Sequence, residues 1–427
     1  MMSETKFKKT PIGEIPEDWE VVKLGKIIGY IKGKKPKIVA KEPKDGWLPY
    51  LSTEYLRNNN PTQFVKITGN EIIVEDGNIL LLWDGSNAGE FFLAKKGVLS
   101  STMVKIFLKK DVYDSLFLFY LLKHREPFLK GQTKGTGIPH VDKNVLNALL
   151  LPLPPLPEQK KIVEILRTVD EAIEKTDLAI EKTERLKKGL MQRLLTKGIK
   201  HERFKKTELG EIPEEWKVVR VREVLELLTD YEANGSFSKL KENVRVYDTP
   251  NYAWYVRATD LEHKQYPPDG DVRYVDKESY EFLRKTKLFG RELLMVKRGE
   301  VGKVYIMPHV KMPATLGPNL YLLKLKNELV DNVFLYYYFT SPFGKRELKR
   351  RNAPTTLGAL YKEDVKNFRI PLPPLEEQKK IAEILMTVDK KLELLRKRKE
   401  KLERIKKGFM KDLLTGRRVS VTTEKHK

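Results

Sequence analysis

The stretch LPLPPLPEQKKIVEIL at residues 151–166 returns as IPLPPLEEQKKIAEIL at residues 370–385. Extended at an offset of 219, residues 152–196 match residues 371–415 without a gap at about 28 of 45 positions. A second pair has the same meaning: GEIPEDWEVV at 13–22 reappears as GEIPEEWKVV at 210–219. The order is motif, globular stretch, long helical stretch, then the same again. Between the motifs, 133 positions separate Trp19 from Pro152 and 155 separate Trp216 from Pro371, and these fillings align only patchily. A chain that duplicates its frame while varying its contents is suited to holding two different reading surfaces at a set separation.

Beyond Pro157, apolar or small residues recur at Leu166, Val169, Ile173, Thr176, Ile180, Thr183, Leu190 and Leu194. The second copy repeats the pattern with Leu385, Val388, Leu392, Leu395, Leu402, Phe409 and Leu413. Alternating steps of four and three mark a coiled-coil seam. Pro157 suits a first helical turn, and Gly198 and Gly416 suit the exits. Each helix is then about 38 residues, roughly 57 Å at 1.5 Å per residue. The seams are apolar on one side only, so each needs a partner of equal length, and the nearest is the other copy. Antiparallel pairing would put one globular module at each end, related by an approximate two-fold like the local two-folds of duplex DNA. A coil that only joins separate chains is the competing reading. Gly189 and Gly408 occupy matched positions inside the helices, where glycine is unfavourable; close approach or a kink would explain them.

The fillings share a fold in outline. YLSTEYL at 50–56 resembles YVRATDL at 255–261, and FLFY at 117–120 resembles FLYY at 334–337. Apolar runs at 79–83, 103–108, 293–296 and 320–325 predict strands, while 111–123 and 331–340 predict helices. The fold class expected is mixed α/β: two globular α+β domains joined and separated by two long helices that form an intramolecular antiparallel coiled coil.

Eighty-two Lys and Arg against 59 Asp and Glu leave a net charge of +23, spread along the chain, which favours a polyanionic partner. There is no cysteine, which excludes disulfides and thiolate zinc sites and is compatible with a reducing cytosol. The start MMSETKFKKT has no apolar signal-peptide core, and apolar runs such as 145–156 are broken by Pro and too short to span a bilayer. A cytoplasmic protein with no membrane partner is expected.

A search for catalytic chemistry is nearly empty. Gly302-Lys303-Val304 and Gly344-Lys345-Arg346 lack the Ser or Thr of a phosphate loop, no Gly-x-Gly-x-x-Gly occurs, and Asn60-Pro61-Thr62-Gln63 only approaches the Asn-Pro-Pro-aromatic tetrapeptide of amino methyltransferases. His124, His140, His201, His263, His309 and His426 show no ligand spacing. No catalytic, cofactor-binding or metal-binding residue is therefore assigned. Tyr336, Tyr337, Tyr338 and Phe339 could stack on bases, but core is the simpler role. Cations in Gly- or Pro-containing loops suit phosphates, and Arg, Lys, Asn, Gln and short hydroxyls suit base edges. The nucleic-acid candidates in the first half are Lys32, Lys34, Lys35, Lys37, Arg57, Asn58, Asn59, Ser86, Asn87, Gln132, Lys134 and Thr136. In the second they are Arg257, Lys264, Gln265, Lys297, Arg298, Arg350, Arg351, Asn352 and Thr355. The alternatives are a stand-alone nucleic-acid clamp or architectural protein, and a nuclease, for which Pro268-Asp269 with later acids and lysines is the nearest pattern.

The repeated PLPPLxEQKKIxEIL before a long helix, with the repeated GEIPExW, resembles the specificity subunit of type I restriction-modification enzymes. The likeness covers nearly the whole chain in its order of parts, and GTGIPHVDKNVLNALLLPLPPL at 135–156 is similar to the family's approach to the helix, although PTTLGAL at 354–360 departs from it. It implies target-recognition domains at 1–155 and 201–374, spacer helices at 156–200 and 375–416, and a basic tail at 417–427. Each domain would read one half of an asymmetric bipartite duplex-DNA target, and the helices would fix the unread spacer. The helices would also dock two methyltransferase subunits, bringing S-adenosylmethionine, and through them two restriction subunits that use ATP and magnesium. This chain would itself be non-catalytic. Docking candidates are Glu158, Gln159 and Lys160 with their repeats Glu377, Gln378 and Lys379, for which helix capping is a competing role. Trp19 and Trp216 are expected to pack each module's entrance onto the coil, with a partner groove as the other option.

Overall fold

A computed structural model describes residues 6–133, 138–262, 266–267, 270–351 and 359–417. The candidates Lys134, Thr136, Lys264, Gln265, Asn352 and Thr355 lie outside these residues, as does the side chain of Arg351. The chain divides into two compact units, Met1–Leu178 with Lys397–Lys427, and Ala179–Arg396. Each unit therefore owns one globular domain, the beginning of one long helix and the end of the other.

In the first unit, a hairpin of Phe7–Thr10 and Gly13–Pro16 leads into Glu20–Lys23, which pairs with Leu150–Leu153 just before the long helix. Among the described residues, an antiparallel sheet runs in the order Phe91–Leu93, Ile79–Leu82, Met103–Leu108, Ile28–Lys32. A mixed sheet of five short strands contains the parallel pair Leu48–Leu51 and Gly97–Leu99. Ile79–Leu82 is buried on both faces, so it reads as a continuous apolar run rather than an alternating one.

The second unit repeats the plan. Its hairpin is Phe204–Thr207 with Gly210–Pro213, and Lys217–Arg220 pairs with Arg369–Leu372. The antiparallel sheet runs Leu225–Asp230, Leu320–Leu325, Leu293–Val296, Val304–Ile306. Ala253–Val256 and Ala314–Leu316 form the parallel pair. Tyr50 and Tyr255 stand at matching places in these parallel pairs, so the sequence match around them reflects a shared fold.

The expected helices also form. Ser115–Gly131 is capped by Asp114, whose carboxylate accepts from the Leu116 and Phe117 amides, and Asn332–Thr340 is capped by Asp331 in the same way. Such caps satisfy amide groups that the first turn leaves unpaired. Tyr337, Tyr338 and Phe339 are buried and Tyr336 is half-buried against the same core, so the aromatic stripe is core.

The long helices are Leu156–Lys197 and Leu375–Leu413. Within the first unit, Lys406 pairs with Asp170 at 2.5 Å and Lys399 with Asp177 at 2.7 Å; as one number rises the other falls, so the helices run antiparallel. Within the second, Lys187 pairs with Asp389 at 2.5 Å and Arg396 with Glu184 at 2.7 Å, again antiparallel. Leu166, Val169, Leu194, Leu385, Val388, Leu392 and Leu413 are buried as the seam requires. Thr176 and Thr183, also buried, return their hydroxyls to the carbonyls of Ala172 and Ala179 at 2.7 Å, which lets polar side chains sit in an apolar seam. Gly198 and Gly416 both have positive φ, +62° and +72°, as helix exits favour. A Cβ on Gly189 or Gly408 would meet nothing within 4 Å, so close helix approach does not account for either glycine.

Candidate nucleic-acid interface

Three loops of the first unit converge at the end of its antiparallel sheet. Lys32 closes strand Ile28–Lys32, and its ammonium meets Asp84 at 2.7 Å, in the turn that follows strand Ile79–Leu82. The Trp83 and Asp84 amides donate to the Thr102 carbonyl at 2.8 and 3.1 Å, the Gly85 amide donates to Pro139, and Asp84 forms a backbone bridge with His140. Gly33 allows the chain to leave the sheet here, because a Cβ at that position would collide with the Ser100 carbonyl. Lys34, Lys35, Lys37, Ser86 and Asn87 are all exposed around this junction. Arg57 is held to the same turn: it pairs with Glu90, whose amide donates to Asn87. The hydrogen bond to Glu90 raises the Arg57 pKa, with burial opposing. Asn58 is exposed, Asn59 caps its helix at φ +56° and accepts from Lys95, and Gln132 is exposed at the end of helix Ser115–Gly131.

The second unit builds the same junction with the charges reversed. Lys32 pairs with Val104 in the first sheet, and Asp230 pairs with Tyr321 at the matching place in the second. The turn after Leu293–Val296 begins with Lys297 and Arg298, and Arg298 bridges Ala359 as Asp84 bridges His140. The first unit has its cation on the strand and its anion on the turn; here the anion is on the strand and the cation on the turn. Lys297 is buried and binds Asp230 at 3.3 Å and Glu232, while Lys362 binds Asp230 at 2.8 Å. Burial works to raise the Asp230 pKa, but Lys362 and Lys297 outweigh it and hold the carboxyl below its ordinary value.

Lys297 is thus corrected from a DNA-contact candidate to a structural cation, because its ammonium is already enclosed by carboxylates. Arg257 is likewise committed, to Asp260 at 2.8 Å and Asp271 at 3.2 Å, and its pKa is raised mainly by the Asp260 hydrogen bond. Arg298 is exposed, and Arg350 is exposed beside Glu347 at 3.4 Å. Among the described residues, no group of three or more His, Asp or Glu side chains could hold a metal ion, and no helix is long and apolar enough to cross a membrane.

The docking candidates divide in two. Gln159 and Gln378 are fully buried, which corrects their reading as docking candidates, because neither side chain has surface to offer a partner. The Gln159 amide donates to Val112 and Pro154 at 3.1 and 2.9 Å while its oxygen accepts from the Asp114 amide at 2.8 Å. Gln378 repeats this with Leu329, Pro373 and Asp331 at 2.9, 2.8 and 2.9 Å. The indoles of Trp19 and Trp216, both fully buried, donate to Glu158 and Glu377 at 2.9 Å. Glu158 and Glu377 are half-buried, so these four residues join each domain to its helix. Burial raises the Glu158 pKa, against the Trp19 hydrogen bond. Only Lys160 and Lys379 of these candidates are exposed.

A model of the type I restriction modification DNA specificity domain matches residues 16–182 and 213–404. The chain belongs to this family. The type I restriction enzyme MjaVIII specificity subunit of Methanocaldococcus jannaschii is 43% identical over 422 residues, covering 97% of this chain and 96% of that one. The putative MjaX specificity subunit of the same organism is 31% identical over 437 residues, with 97% of each chain covered. A crystal structure of a type I restriction-modification S subunit from M. genitalium superposes with a TM-score of 0.58 at 16% identity, covering 92% of this chain and 96% of that one. As a type I specificity subunit, this chain is the recognition member of its system rather than a catalytic one, with two target-recognition domains.

The sequence reading missed Asp84, Asp230, Glu232 and Lys362, which shape the two junctions. Nothing local to Asp84 signals that Lys32, 52 positions away, is its partner.

Proposed function

We propose that each target-recognition domain reads one half of a bipartite, asymmetric duplex-DNA target through the loops gathered at its sheet end, and that the paired helices set the unread spacer. The observation that carries this is the reversed junction: on one backbone plan the first unit has Lys32 and Asp84 where the second has Asp230 and Arg298, with Lys297, at the place of Trp83, holding Asp230. Two homologous scaffolds with opposite charge at the same place suit unlike half-sites. The readers we assign are Asn58, Ser86, Asn87, Gln132 and Arg298, with Lys34, Lys35, Lys37 and Arg350 on phosphate; Lys134, Thr136, Lys264, Gln265, Arg351, Asn352 and Thr355 remain candidates. The domain division stays 1–155, 156–200, 201–374 and 375–416, followed by the tail.

We also propose that two methyltransferase subunits dock on the helices, near Lys160 and Lys379 and along exposed apolar side chains such as Leu178, Leu186, Met386 and Leu394. They would bring S-adenosylmethionine, and two restriction subunits would bring ATP and magnesium. The assembly would work in the cytoplasm. Methylation-state sequencing of adenines in cells with and without this chain tests the proposal. Loss of a split motif with two unlike halves is expected; no lost motif, despite an active methyltransferase subunit, would refute it.

A further inference from the structure

In each unit a tyrosine of the globular domain, an aspartate of one long helix and a lysine of the other meet in a chain of contacts. The Tyr120 hydroxyl donates to Asp170 Oδ2 at 2.7 Å, and Asp170 Oδ1 accepts from Lys406 Nζ at 2.5 Å. In the second unit, Tyr337 donates to Asp389 Oδ2 at 2.7 Å, and Asp389 Oδ1 accepts from Lys187 Nζ at 2.5 Å. Each ammonium also lies over the tyrosine ring, at 5.8 and 5.7 Å. The helix that supplies the aspartate in one unit supplies the lysine in the other, so the two triads are copies with exchanged roles. Burial and then the aspartate raise both tyrosine pKa values, which keeps the hydroxyls as donors.

An apolar seam specifies helix stagger weakly, because a slip of one repeat brings similar side chains into the same holes; a polar pair placed once breaks that degeneracy. The carboxylate here goes further, since it binds the opposite helix through one oxygen and the domain through the other. A slip of one helical turn, 5.4 Å, would break the lysine contact and leave the domain tied to one helix. Resting on the function proposed above, we infer that the Tyr120–Asp170–Lys406 and Tyr337–Asp389–Lys187 triads set the helix stagger and the seating of each domain on the pair, and thereby which DNA spacer the chain accepts. The tyrosines are positioning residues.

The test has two arms. The cysteine-free chain allows spin labels at K110C and E174C, both exposed and both in the first unit, and their distance distribution is measured in the full chain without DNA. Y120F removes the domain arm of the triad and K406M the inter-helix arm, so if one variant fails to fold the other still decides. Both are expected to widen or shift the distribution; an unchanged distribution overturns the inference, even alongside a lower Tm. In the second arm, the assembled methyltransferase complex is given duplexes bearing its mapped motif with the native spacer and with one base pair more or fewer. Y120F and Y337F are expected to lower the preference for the native spacer about tenfold, the scale of one charge-assisted hydrogen bond, with half-site preferences unchanged. A change under about twofold overturns the role in spacing. If the wild-type chain supports no split motif, the functional reading and the spacer role fall together, while the distance arm still decides the seating.

Discussion

Replacing Lys297 with methionine separates a cation that shapes a reading loop from one that touches DNA. The Lys297 side chain is 7% exposed and the Asp230 side chain 8%, so the substitution leaves a buried carboxylate with Lys362 as its remaining cation. Removing one partner of a buried ion pair destabilises by about 3–5 kcal/mol; the Lys362 contact at 2.8 Å argues for the low end, about 3 kcal/mol. For a unit of this size that is a fall on the order of 10 °C in the Tm of its transition. Because the Lys297 ammonium ties the turn after strand Leu293–Val296 to Asp230 and Glu232, second-half-site discrimination should weaken while the first half-site is read normally. Binding is then followed against salt. Loss of a phosphate contact would lower the slope of log K against log salt by about 1, whereas a positioning role leaves it unchanged. A lower slope with unaltered Tm would refute the assignment. The double variant K297M/D230L, which removes both charges, should recover part of the lost stability.

The lowered Asp230 pKa has a definite sign: its stabilisation is present above the unfolded carboxyl's ordinary value near 3.8 and is lost as pH falls through the folded value. Circular dichroism should therefore show acid unfolding of the second unit beginning below about pH 4, with D230N flattening that dependence. G33A forces the backbone of residues 32–37 away from the Ser100 carbonyl, so it should weaken first-half-site binding while sparing the second; equal loss at both halves would count against the junction. Q378L strands the Asp331 amide and the Leu329 and Pro373 carbonyls, at about 1–3 kcal/mol each, and calorimetry should find a loss of at least about 3 kcal/mol. Deleting seven residues from both helices shortens the pair by about 10 Å, about three base pairs at 3.4 Å each; an unchanged methylated spacer would sink the idea of a ruler.

The duplicated frame, the long seamed helices, the alternation of modules and the lack of catalytic motifs were all legible in the amino-acid order, because repeats and periodicity are local or exact patterns. Leu166, Leu385 and their neighbours announce a buried stripe by spacing alone. Paired polar groups leave no such trace. Asp230 meets Lys297 across 67 positions and Lys362 across 132, so nothing near Lys297 distinguishes a buried cation from a DNA-facing one. Gln159 and Gln378 sat in the most recognisable motif of the chain, yet only the packed domains showed that their amides close three backbone hydrogen bonds instead of facing a partner. The matching of Tyr120 with Tyr337, Asp170 with Asp389 and Lys187 with Lys406 was present in the repeat, but a repeat reports equivalence, not contact. Contact depends on how strands and helices from distant parts of the chain come together, and that is a property of the tertiary structure.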